Sequence, residues 1–155
     1  MTAISSNLYQ DHRGTLAFIP MDVLDRHWQN ITISSNPAKH TFRGMHRQLR
    51  LGQEKFVQVI QGSIIDFTYN KFTDEANMQK LNKGESYYID EDLHHGFLTL
   101  EPNTIVLYLT SEEYCKDQEI INWSDIPYIS DHVMRQTQGL LIISDKDKDA
   151  KGIHC

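Results

Sequence analysis

His46 lies in the run Thr41-Phe42-Arg43-Gly44-Met45-His46-Arg47-Gln48, nine residues before Lys55, and a histidine pair, His94-His95, precedes Gly96-Phe97. A neutral imidazole can take a proton, a lysine ammonium can stabilise a developing oxyanion, and neighbouring hydroxyls can return a proton. Those are the parts needed to enolise a carbonyl compound.

Such groups cooperate only if the chain aims them into one space. The apolar signal comes in short runs broken by Gly, Asn, Asp and Pro, which is the pattern of a β-sandwich or barrel. Strands are expected over Thr15–Ile19, Asn30–Ser34, Lys55–Gln61, Ser63–Tyr69, Ser86–Ile89, Gly96–Leu100, Thr104–Thr110 and Leu140–Ile143. Turns are expected at Asn36-Pro37, Gln61-Gly62, Asn82-Lys83-Gly84 and Glu101-Pro102-Asn103, and one short helix over Pro20 to Arg26. In a small barrel, alternate side chains of each strand would enter the cavity. His95 would then point inward and His94 away.

The whole chain of 155 residues fits a single domain. A net charge of −6 argues against general nucleic-acid or membrane-surface binding, both of which need a cationic face. Cys115 and Cys155 lie far apart with no C-x-x-C pair, which suggests neither a disulfide framework nor a zinc site and fits a cytoplasmic protein. No apolar run approaches membrane-spanning length.

Two blocks of the chain resemble the cupin pattern, a double-stranded jelly roll whose H-x-H, Glu and second-block His bind a metal. Here His46-x-Gln48 stands for H-x-H, Lys55, with six residues between it and Gly62, falls where the Glu would be, and His95 follows Gly84 by eleven positions. An ammonium in place of a carboxylate adds positive charge beside any cation, so a His-Gln-Lys-His set is a poor site for Zn²⁺ or Fe²⁺. A metal-free pocket is expected.

Ordered motifs along the chain resemble the dTDP-4-dehydrorhamnose 3,5-epimerases and relatives acting on other nucleotide-linked 4-keto sugars. Asp11-His12-Arg13-Gly14 is similar to the family's D-x-R-G, Phe42 to Gln48 to its L-R-G-L-H-Y-Q, and Gly62 to Asp66 to G-x-V-x-D. His95-Gly96-Phe97 is similar to H-G-F, Leu107-Tyr108 with Tyr114 to the paired tyrosines, and Ser144 to Asp147 to the closing S-x-K-D. The resemblance implies an all-β cupin with no cofactor, a nucleotide-diphosphate sugar as substrate and a homodimeric assembly. It also implies roles: His46 as base, Asp147 as the carboxylate that orients it, Lys55 at the C4 oxygen and Tyr108 as the proton donor on the opposite face. Arg43, His95, Arg13, Gln48, Asp66 and Tyr114 would serve binding, with Arg43 and His95 near the ring and diphosphate. The expected activity is inversion at C3, C5 or both of a nucleotide diphospho-4-keto-6-deoxy sugar, in the supply of sugars for surface polysaccharide or a glycosylated metabolite.

Three other readings remain. A cupin 3,4-ketoisomerase would keep the base but usually shows a histidine where Gln48 stands; a non-catalytic sugar-binding cupin would bind without exchanging protons with solvent; a metal-dependent dioxygenase would need an ion. Arg47 replaces the family's aromatic and could meet a diphosphate or decorate the surface. Asp90-Glu91-Asp92 replaces its proline-glycine turn, either beside the cavity or outside it. His12, His27, His40, His132 and His154 are expected at the surface.

Overall fold

The computed structural model describes residues 7–12, 14–18, 27–49, 52–113, 117–150 and 152–154. Its strands are β1 (Asn7–Asp11), β2 (Gly14–Phe18), β3 (Asn30–Asn36), β4 (Phe42–Gln48), β5 (Lys55–Gln61), β6 (Ser63–Asn70), β7 (Glu75–Asn82), β8 (Ser86–Ile89), β9 (His94–Thr99), β10 (Thr104–Thr110), β11 (Gln118–Ile120) and β12 (Gly152–His154). They form a four-stranded sheet in the order β3-β10-β5-β8, a six-stranded sheet in the order β12-β11-β4-β9-β6-β7, and a separate β1-β2 hairpin. Every strand pair is antiparallel.

Period-two alternation gives each large sheet two faces. Val57, Val59 and Val106 of one sheet meet Ile64, Leu81 and Phe97 of the other in the core between them. On the far side of the six-stranded sheet, Phe42, Met45, Ile65, Phe67 and Leu98 pack against helix α1 (Pro127–Thr137). Its start is set by Pro127, whose missing N–H costs nothing in a first helical turn. Ile129, Val133 and Thr137, four residues apart, supply its buried stripe. The helix stops at Gln138, which is left-handed with φ 51° and donates its N–H to Met134 O.

The runs Lys55–Gln61, Ser86–Ile89 and Thr104–Thr110 fold with the bounds expected of them. Asn30–Ser34 and Ser63–Tyr69 run on to Asn36 and Asn70, and the strand expected from Gly96 begins at His94. Leu140–Ile143 is not a strand: Ile142 makes a single bridge to Thr41, and although Leu141 and Ile143 pack on the core, Leu140 and Ile142 are 76% and 52% exposed and no ladder forms. The helix expected over Pro20 to Arg26 lies outside the described residues. The expected elements include none at β1, β4, β11 or β12, and they miss α1 and also β7, whose Glu-Ala-Asn-Met-Gln-Lys-Leu-Asn lacks the apolar alternation of its neighbours and is held by its ladder to β6.

Candidate active site

Between the two large sheets opens a cavity of about 850 Å³ lined by His46, His95, Lys55, Tyr108, Arg43 and Asp147 among others. His46 on β4 and His95 on β9 are direct cross-strand partners in the six-stranded sheet. Lys55 on β5 and Tyr108 on β10 belong to the four-stranded sheet, as adjacent strands. The imidazoles and the ammonium-hydroxyl pair therefore occupy opposite walls.

The close approach of β4 to β9 depends on two glycines. A Cβ on Gly44, whose φ is +130°, would lie 2.4 Å from Gly96 Cα, and one on Gly96 would lie 2.8 Å from Arg43 O. Only glycine admits that contact, which explains why the arginine-glycine run and the His-Gly run face each other across this pair. It also frees the Gly44 N–H to donate to Asp147 Oδ2 at 3.2 Å.

Asp147 comes from the far end of the chain, on the one-turn helix α2 (Asp145–Lys148), whose cap Ser144 Oγ accepts from the Asp147 N–H. Its Oδ1 lies 2.6 Å from His46 Nε2. Burial opposes ionisation, but hydrogen bonds from His46, Gly44 and Ser144 together hold the carboxyl below its ordinary range. The carboxylate thus fixes the ring and supports an imidazolium, leaving the second ring nitrogen to take a proton.

The opposite wall holds Lys55 and Tyr108. Burial lowers the Lys55 ammonium to about 8, and the Asp66 carboxylate opposes that shift. Asp66 lies 2.6 Å from His95 Nε2 and is itself pushed up by burial, against the pull of His95 and Lys55. The Tyr108 hydroxyl is raised well above its ordinary value by burial and by the Asp66 charge, so it carries its proton at neutral pH. His95 stands edge-on to the Tyr108 ring, centroids 6.1 Å apart.

Of the residues singled out by sequence, His46, Asp147, Lys55, Tyr108, Arg43 and His95 line one cavity. Asp66 stands behind His95 rather than on the wall, and Gln48 is buried beyond the lining with Oε1 unpartnered among the described residues. Arg13 and Tyr114 lie outside the described residues. Asp90, Glu91 and Asp92 border a separate cleft with Glu54 and Glu75, away from the histidines. His40 is half-buried rather than at the surface, with Nε2 enclosed and unpartnered among the described residues. Polar wall residues that sequence reasoning passed over include Gln53, Glu113 and Lys146. Lys146 adjoins the Asp147 singled out by its motif, whereas nothing in the local pattern of Gln53 or Glu113 marks them.

Arg47 takes neither place foreseen for it. It lies off the cavity in a cluster in which Glu119 accepts from Arg47 at 3.3 Å, from Lys71 at 2.6 Å and from His94 Nε2 at 3.0 Å. His94 points away from the cavity as alternation demands, and burial lowers it to about 4 despite Glu119. Against the cost of burial, Lys71, His94 and Arg47 hold the Glu119 carboxyl below its usual value. Glu119→Gln should therefore destabilise the fold by about 2 kcal/mol, a figure reduced for the part-exposed Lys71, as read from chemical denaturation. The depressed folded value places the loss on the acid side: Glu119 stabilises at neutral pH, and that contribution fades as pH falls through its folded pKa. The variant's acid-denaturation curve should be correspondingly shallower.

Comparison with known proteins points to one family. The family profile of dTDP-4-dehydrorhamnose 3,5-epimerase matches residues 1–154. The chain belongs to this family. The epimerase of that name from Methanothermobacter thermautotrophicus is 32% identical over 127 residues, 76% of this chain and 67% of the relative. That of Mycobacterium tuberculosis is 32% identical over 106 residues, 62% of this chain and 50% of the relative, so the matched stretch spans only half of that protein. Among solved structures, the Bacillus anthracis dTDP-4-dehydrorhamnose 3,5-epimerase with TDP and PPi bound superposes with a TM-score of 0.77 at 25% identity, covering 96% of this chain and 91% of that one. The Legionella pneumophila epimerase in complex with dTDP-4-keto-L-rhamnose shares the fold with a TM-score of 0.80 at 22% identity, covering 96% and 85%. Arg47 pairs with Glu119 of the same chain, off the cavity.

Proposed function

We propose that the protein epimerises a nucleoside diphospho-4-keto-6-deoxy sugar at C3, C5 or both, with a dTDP-linked sugar as the best-supported substrate. The observation that carries this reading is the placement of a carboxylate-steadied imidazole and a protonated tyrosine on opposite walls of one cavity, with a lysine ammonium between the sheets. His46 removes the proton on the carbon next to the C4 ketone, and the C–H electron pair becomes an enolate whose oxygen meets the Lys55 ammonium. Tyr108 returns a proton to that carbon from the other face, so the centre inverts; solvent then reprotonates Tyr108 and takes the proton from His46. A base and an acid on the same wall would return the original configuration.

Tyr108→Phe separates the two half-reactions. In deuterium oxide the variant should still exchange the α-proton through His46 while inversion falls by about 100-fold, the scale of one general acid. Proton NMR of the sugar reads both rates, and equal losses in exchange and inversion would remove Tyr108 from its role.

A second copy of the chain completes the proposal. Ile31 and Ile33 on edge strand β3 are 68% and 64% exposed at the cavity mouth, and the β1-β2 hairpin pairs with no other strand among the described residues. An exposed apolar edge is a surface that association covers. We place the enzyme in the cytoplasm, supplying deoxysugars for polysaccharide or glycosylated metabolites; no helix among the described residues is long and apolar enough to cross a membrane.

A further inference from the structure

Two arginines on β4 are held in opposite ways. Arg47 donates to the Glu119 carboxylate and lies off the cavity. Arg43 lines the cavity, is exposed to it, and has no carboxylate partner among the described residues. Its Nε donates instead to Asn36 Oδ1 at 2.9 Å.

Asn36 is built to be that partner. It is 1% exposed, at the end of β3 in the other sheet, so its bond to Arg43 spans the two walls. Its Nδ2 donates to Thr104 O at 3.1 Å and to Ser34 O at 3.3 Å, which fixes the amide plane and aims Oδ1 at β4. Ser34 Oγ also approaches Oδ1, at 3.3 Å. A neutral acceptor bound at Nε fixes the guanidinium plane while leaving both terminal nitrogens free, in the fork that suits a phosphate. A carboxylate in the same place would cancel the charge on which an anion depends.

We propose that Asn36 is a positioning residue that aims the unneutralised guanidinium of Arg43 at the sugar-linked phosphate of the substrate's diphosphate, the phosphate that is terminal in dTDP. This rests on the nucleotide-sugar reading above, and it adds a residue that never touches substrate but sets affinity for one group of it. The test is a double-mutant cycle of N36A and R43A in the full-length chain, with dTDP and dTMP affinities measured by calorimetry on protein shown by circular dichroism to be folded.

N36A should weaken dTDP about 10-fold, the worth of one oriented charge-assisted bond, while leaving dTMP within about 2-fold. In the R43A background N36A should cost nothing further. Parallel loss of both nucleotides, an N36A effect that persists without Arg43, or no effect at all would overturn the inference while leaving the epimerase reading intact. A parent protein that binds neither nucleotide overturns the nucleotide reading itself, and this inference with it.

Discussion

His46→Asn should lower turnover by about 1,000-fold, within the span of a lost general base, and should abolish exchange of the sugar's α-protons with solvent. Asparagine keeps a hydrogen-bonding group near Asp147, whose carboxylate is also held by the Gly44 N–H and whose backbone N–H is capped by Ser144 Oγ, so the fold has little reason to respond. The base cannot be replaced from nearby. His95 is committed to Asp66 at 2.6 Å and burial lowers its proton affinity, and Lys55 is protonated at neutral pH. Single-turnover rates with the 4-keto sugar, alongside thermal melts, check the claim; a variant that exchanges like the parent would move the base elsewhere.

Lys55→Met should lower kcat by about 100-fold, the scale of one lost oxyanion donor, yet raise the melting temperature at neutral pH. The stability gain follows from the sign of the shift. Burial lowers the folded ammonium to about 8 from 10.5, so the native state binds its proton more weakly than the unfolded chain does. The ammonium therefore weighs against the fold below pH 8, and that penalty lifts as pH rises from about 8 toward 10.5. Activity runs the other way: kcat/KM should fall on the alkaline side of a limb near pH 8, because only the ammonium can meet an enolate. Loss of activity together with loss of stability would mean that Lys55 is a packing residue.

The strand plan was largely legible because most strands bury one face, which writes a period of two into runs such as Lys55–Gln61 and Thr104–Thr110. Where burial does not impose that period along a whole run the reading failed: β7 buries Leu81 but is otherwise mostly polar, and Leu140–Ile143 rests Leu141 and Ile143 on the core yet makes only the bridge of Ile142 to Thr41. Helix α1 left only Pro127 and the spacing of Ile129 and Val133 as signals, inside a segment otherwise polar. The site was legible through motif rather than through local chemistry. Asp147 shares its tail with Asp145 and Asp149, and only the Ser144-to-Asp147 register distinguishes it; the fold explains that register, since Ser144 caps the turn that brings Asp147 to His46. The turn of Arg47 onto Glu119 and the tie from Asn36 to Arg43 are contacts between strands distant in sequence, which no local pattern records.

Every step above requires that the protein break a carbon–hydrogen bond beside a ketone inside this cavity. The direct measurement is proton NMR of a dTDP-4-keto-6-deoxy sugar incubated with the wild-type protein in deuterium oxide. The predicted result is loss of the C3 signal, the C5 signal or both, with deuterium retained in a product of inverted configuration. A sugar that binds, shown by saturation transfer, but keeps both proton signals over many hours would contradict the account and leave a binding protein in place of an epimerase.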